Sequence, residues 1–191
     1  SMTGSAVLDV SPLAGVHTLN LSGGRVKDVR CLGTVHTLNL SNCENVDTVE
    51  GLGGLYFLDV SRNHLRSLLD VNSVHTLIAN DVHLADGIFP LGSCHHLSIV
   101  QSPNSPKYPL SFGDVESAQA LQLSNIPSPG NLFLKSLTHV RELYLGGVEI
   151  VDVSWTAHLK LKKLELASCY DLVSLDELKD LEALTLLSCT A

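Results

Sequence analysis

The stretch Val16-His17-Thr18-Leu19-Asn20-Leu21-Ser22 returns nineteen residues later as Val35-His36-Thr37-Leu38-Asn39-Leu40-Ser41. Looser copies begin at Leu55, Val74, Cys94, Ala118, Val140, Leu161 and Leu181, making nine in all. Successive copies are offset by 19, 20, 19, 20, 24, 22, 21 and 20 residues, and each reads LxxLxL with aliphatic substitutions. A fixed period of this length marks a stack of like supersecondary units. In LxL the two leucines point to one face of a short strand and the residues beside them to the other. A strand of three or four residues cannot bury itself, so the coils must stack at about 4.8 Å each into one parallel sheet.

A second apolar series runs between the strands: Val26, Val29 and Leu32, then Val46, Val49 and Leu52, then Leu65, Leu68 and Val71. It recurs at Ile150 and Val153 and at Leu172, Leu175 and Leu178, so the return side of each coil also faces the core. In the shorter coils the return is about ten residues, too few for a good helix, which predicts extended or single 3-10 turns. Residues 132–140 and 176–181 have room for short convex helices, the second opening on acidic residues suited to a helix N-terminus.

These columns resemble leucine-rich repeats over essentially the whole chain, in particular the short, tightly curved internalin-like and phosphatase-regulator-like repeats. The VHTLNLS wording also resembles large repeat proteins of protists. The resemblance implies an α/β fold class: a leucine-rich-repeat solenoid, one array over residues 1–191, with a curved parallel sheet on its concave face. It also implies scaffold or adaptor work. Such repeats usually carry Asn or Cys three residues after the second leucine, bonded to the turn between coils. Here that position holds Gly24, Cys43, Asn63, Val82, Ser102, Ile126, Val148, Cys169 and Cys189, which implies buried structural thiols and no continuous asparagine ladder.

Val7, Val10 and Leu13 match the return series, and the chain stops at Ala191 just after a strand. Solenoids normally close with polar capping repeats, and neither end reads as one, so the expectation is an array cut from a longer one. Ser1-Met2 reads as a remnant of tag removal.

Leucine occurs 36 times in 191 residues while aromatics make up 5%, so aliphatics must fill the core. The net charge of −8 is the wrong sign for a phosphate-backbone binder or a protein drawn to anionic lipid. No run approaches eighteen apolar residues and no basic-then-apolar leader opens the chain, so membrane insertion is not expected. Five cysteines without CxxC or zinc-like spacing point to free thiols and a reducing, cytoplasmic setting. The triplets Asn20-Leu21-Ser22 and Asn39-Leu40-Ser41 look like glycan acceptors, but they fall at equivalent repeat positions and repetition explains them.

His17, His36, His75 and His95 share one repeat position, where stacking would bring the first two within about 5 Å. Tyr56 interrupts that column, and a closed zinc site needs four ligands, so no metal is expected. A nucleophile needs an oriented base in a pocket. The stack offers no pocket, and the recurring Ser22, Ser41 and Ser61 read as turn formers. No phosphate-binding loop is present, so no catalytic residue and no cofactor are assigned. Lys160, Lys162 and Lys163 form a basic patch that reads as a solvated edge. Pro103, Pro106 and Pro109 place an extended stretch in the longest coil, read as a worn repeat first and a recognition loop second.

The solvent face of the sheet offers small uncharged residues in the first two coils, Thr18, Asn20, Thr37 and Asn39. From the third coil it carries Phe57 and Asp59, then Ile78, His96, Gln122, Glu142, Tyr144, Lys163 and Glu165, with Tyr56 and His75 along one edge. Aromatic and aliphatic groups among charges are what protein-binding faces use as anchors. The expected function is a non-catalytic protein-interaction module, monomeric, binding a protein on this face. The alternatives are a regulatory or substrate-recruiting segment of a larger enzyme and an extracellular recognition domain.

Overall fold

The computed structural model describes residues 9–71, 73–85, 88–89, 94–102, 111–112, 117–126, 134, 137–176, 178 and 180–189. Nine short strands line up in chain order in one parallel sheet. They are Thr18–Asn20, Thr37–Asn39, Phe57–Asp59, Thr76–Ile78, His96–Val100, Ala120–Ser124, Glu142–Gly146, Lys163–Ala167 and Ala183–Leu187. Register is set by the repeat: Leu19 pairs with Leu38, Leu38 with Leu58, Leu58 with Leu77 and Leu77 with Leu97. A one-residue slip would turn every leucine to solvent, so the buried columns hold this pairing in place.

Both apolar series converge on one core. Leu38, Leu58 and Leu145 of the strands, Leu40 just after one, and Val29, Val46, Val49 and Leu52 of the return are fully buried. The sole tryptophan, Trp155, lies in the core from the convex side, and its indole N–H donates to the Asp152 carbonyl at 2.9 Å. Return segments run extended or as 3-10 turns at Ser11–Leu13, Arg30–Leu32, Leu69–Val71 and Ser154–His158. On the convex side His64–Leu65 pairs with His83–Leu84, and Ile88–Phe89 with Ser111–Phe112.

The helix expected over 176–181 does not form at its described residues, which are turn, bend and irregular. Leu178 N bonds Leu175 O at 3.1 Å, a single turn that satisfies the backbone within the short return. The helix expected over 132–140 lies largely outside the described residues; Leu134 is helical and 137–140 form a turn. The proline-rich stretch also falls mostly outside them.

The turn after each strand is built from side chains at fixed positions. Cys43 Sγ donates to Leu21 O at 3.1 Å, Asn63 Nδ2 to Leu40 O at 2.9 Å and Cys189 Sγ to Leu166 O at 3.3 Å. Each reaches the carbonyl of the second leucine position one coil back, so thiol and amide do the same work in this column. The preceding position is left-handed at Gly23, Asn42, Arg62, Asp81, Asn125, Gly147, Ser168 and Ser188, with φ between 51° and 69°. Gly, Asn and Asp enter that region at least cost, and Arg62 is the bulky exception.

At the far end of the sheet Leu184, Leu186 and Leu187 are 41 to 49% exposed, whereas Leu164 and Leu166, the register partners of the first two one coil back, are buried. Among the described residues no helix is long and apolar enough to cross a membrane.

Candidate functional site: the concave face

Alternation along each strand sends the leucines inward and their neighbours onto the concave face. From the fourth coil to the ninth these neighbours wall an open concavity of about 600 Å³. Ile78, His96, Gln122, Glu142, Tyr144, Lys163 and Glu165 all line it, together with Thr76, Ser98, Ala120, Ala183 and Thr185. Curvature makes this pocket; the sequence expectation of none considered only a convex stack.

Tyr144 sits at its centre, in register with Gln122 on one side and Glu165 on the other. The phenol lies over Gly146, where an added Cβ would fall 2.9 Å from Tyr144 Oη and 2.8 Å from Ser124 Oγ. Glu142 and Lys163 are register partners and form a 2.8 Å ion pair across the face. That hydrogen bond raises the Lys163 ammonium above its ordinary pKa. Both side chains are more than half exposed, so the pair contributes little to stability and stays available to a partner. The Ser98 hydroxyl lies 3.1 Å from Asn80 Oδ1 and from Gln122 Oε1, fixing the polar wall on the other side.

Phe57 and Asp59 lie one coil outside this concavity. Asp59 Oδ1 accepts the Ser61 amide at 2.9 Å, as Asn39 does for Ser41 and Asn20 for Ser22. These side chains cap their own turns. Asp59 is therefore committed to the fold more than its place in the sequence pattern suggests.

Tyr56 and His75 stand on the sheet's edge, one residue before the strands. There the rings of His17, His36, Tyr56, His75 and His95 stack as one unbroken ladder, centroids 4.3 to 4.8 Å apart. Tyr56 interrupts the run of imidazoles but not the stack, because a phenol ring is as flat as an imidazole and stacks in its place. Stacking also settles the geometry of the nitrogens. Imidazole lone pairs lie in the ring plane, so parallel rings aim them side by side rather than at one ion about 2 Å away. Among the described residues no three His, Cys, Asp or Glu side chains gather to hold a metal.

The basic patch expected at Lys160, Lys162 and Lys163 is divided. Lys162 pairs with Glu182 and Lys163 with Glu142, while Lys160 lines a pocket on the flank with Arg141 and His139. The thiols are all free. Burial pushes Cys94 and Cys169 up to about 11, so neither offers a ready thiolate.

No family model matches the sequence, and no curated protein matches it. Solved structures do. An internalin, InlF, from Listeria monocytogenes superposes with a TM-score of 0.53 at 17% identity, over 98% of this chain and 73% of that one. An internalin C2 from the same organism gives 0.39 at 20% identity, over 96% and 68% of the two chains. The functional domain of InlJ, described as including a cysteine ladder, gives 0.45 at 17%, over 88% and 43%. At these identities the likeness concerns the fold. With its nine in-register strands, two leucine columns and thiol-or-amide turn column, the chain has the fold of a leucine-rich-repeat solenoid, similar to that of InlF.

Proposed function

We propose that the chain is a non-catalytic protein-interaction module whose partner docks on the concave face of the fourth to ninth coils. One observation carries this reading: Tyr144 stands in an open concavity between Gln122 and Glu165, beside the exposed Glu142–Lys163 pair. A rigid aromatic on strand backbone, ringed by charges that can exchange partners, is the composition of an interaction hot spot. The shallow floor of Leu77, Leu97, Leu121, Leu143 and Leu164 suits a protein surface. Phe57, Asp59, Tyr56 and His75 extend the contact toward the third coil and the edge. The free thiols support work in a reducing compartment as a scaffold or adaptor.

The test begins with affinity purification from the native cell, using the chain as bait. Against the partner recovered, Phe57→Ala and Tyr144→Ala should each cost about 1 to 2 kcal/mol in binding with folding intact. The convex double variant Lys27→Ala, Arg66→Ala should bind as wild type. Loss of binding in the convex variant alone would refute the concave assignment.

A further inference from the structure

We propose that the flank of the fifth to eighth coils holds a site for a phosphate monoester, of the kind carried by a phosphorylated serine or threonine of the protein partner. The proposal rests on the interaction reading above. A second pocket, of about 580 Å³, opens there beside the sheet. One wall is the continuation of the aromatic ladder, in which His95 is followed by Gln119 and Arg141. Their backbones are locked in sequence: Gln119 N donates to His95 O and Arg141 N to Gln119 O, each at 2.8 Å. The other wall, two residues earlier in each coil, is Ser117, His139 and Lys160, and His158 closes the site.

The charge of this pocket runs against that of the chain. Arg141, Lys160 and three histidines line it, and among the described residues no carboxylate does, in a protein of net charge −8. Ion pairs among the described residues join Arg30 to Asp28, Arg66 to Asp47, Lys162 to Glu182 and Lys163 to Glu142, and none involves Arg141 or Lys160. Asp180 follows Lys160 in its column, but it borders a different pocket. A guanidinium and an ammonium gathered in a concavity, with no carboxylate beside them among the described residues, focus a positive potential on whatever enters.

The donors select the anion. A guanidinium fork, an ammonium and imidazoles offer more N–H groups than one carboxylate accepts, whereas a phosphate monoester brings three oxygens and nearly two charges. The Ser117 and Thr138 hydroxyls and the Gln119 amide add neutral donors, with Thr138 Oγ1 3.1 Å from His139 Nδ1. The position points to a partner's side chain as the source. His96, Ala120 and Glu142, which follow His95, Gln119 and Arg141 in the chain, line the concave pocket. A peptide lying across the concave face can thus turn a phosphorylated side chain over the edge into the flank.

The test titrates the 191-residue chain with N-acetyl-O-phosphoserine amide, following histidine ring signals by NMR. The other arms are N-acetylserine amide, inorganic phosphate, and phosphatidylcholine vesicles containing phosphatidic acid. The phosphoserine derivative is expected to shift the His139 and His158 signals saturably, to bind more tightly than inorganic phosphate, and to leave the serine derivative without effect. Arg141→Ala and Lys160→Ala, both at exposed side chains, should each weaken it about tenfold or more. Arg141→Lys, which keeps the charge and loses the fork, should fall between. Arg25→Ala with Lys27→Ala should match wild type. The proposal is overturned if phosphoserine binds no better than serine, if Arg141→Ala has no effect, if inorganic phosphate binds as tightly as the ester, or if only vesicles bind. No partner protein enters this titration, so its failure leaves the concave reading standing, and failure of Tyr144→Ala to affect partner binding leaves this result standing.

Discussion

The His36 and Tyr56 rings lie face to face, centroids 4.8 Å apart and planes 15° from parallel. Their backbones explain it: Tyr56 N donates to His36 O at 3.0 Å, which sets the two Cα atoms at the inter-strand spacing. Rings at one repeat position must then stack, whatever their chemistry. Tyr56→Ala should divide the five-ring ladder into two pairs and cost about 1 to 3 kcal/mol in denaturant unfolding, since it removes two aromatic contacts, each worth ~0.5 to 1.5 kcal/mol. Tyr56→His, which keeps a flat ring, should cost clearly less. Equal losses would mean that the stacking carries no energy.

The ladder also makes stability depend on pH. His75 lies between Tyr56 and His95 with the His96 ring edge-on at 5.4 Å, and it contacts the Thr76 hydroxyl at 3.1 Å. Burial first, then the charges of His95 and His96, lowers its pKa below 6.5. A histidine that resists protonation when folded contributes its full stability above that value, and the contribution is lost as pH falls through the folded pKa. The thermal midpoint should therefore drop between pH 7.5 and 5.5, and His75→Phe should flatten that drop while preserving the stack. An identical pH dependence in the variant would remove His75 as its source.

Burial predicts an uneven response along the stack. Leu40 is 0% exposed and Leu186 is 41% exposed, though both occupy the second leucine of the motif. A carboxylate forced into the core at Leu40→Asp costs several kcal/mol, much of the stability of an ordinary domain. Leu186→Asp should cost well under half as much by urea denaturation. Equal shifts of the midpoint would contradict a linear array with a less buried last coil.

Thiol chemistry should follow the turn column. Cys31 and Cys189 are half-buried, whereas Cys43, Cys94 and Cys169 are buried with pKa values raised by desolvation. Iodoacetamide at pH 8 should modify Cys31 and Cys189 first, and all five only after denaturation without reductant. Fewer than five adducts on the denatured chain would reveal a disulfide and contradict the free-thiol account.

The strands were legible because LxL at a fixed period determines both which face is buried and which strands are neighbours. The turns were only half legible. Ser22, Ser41 and Ser61 mark the turns, yet the left-handed residue is the next one, signalled by Gly23, Asn42, Asp81, Asn125 and Gly147. The ladder was visible as a histidine column broken at Tyr56; that the phenol fills the break by stacking follows from ring shape, which a reading of ligand types does not carry. The flank pocket was not legible: Arg141 comes from one coil and His158 and Lys160 from the next, at three different repeat positions, and only the stacked geometry brings them beside His95.

The central claim is that the concave face is where a protein partner sits. Its most direct test is site-specific photocrosslinking in the native cell, with a benzophenone amino acid at Gln122 on the concave face or at Lys27 on the convex side. The account predicts a discrete crosslinked species from Gln122, abolished by Tyr144→Ala, and none from Lys27. A species from Lys27 with none from Gln122 would contradict it.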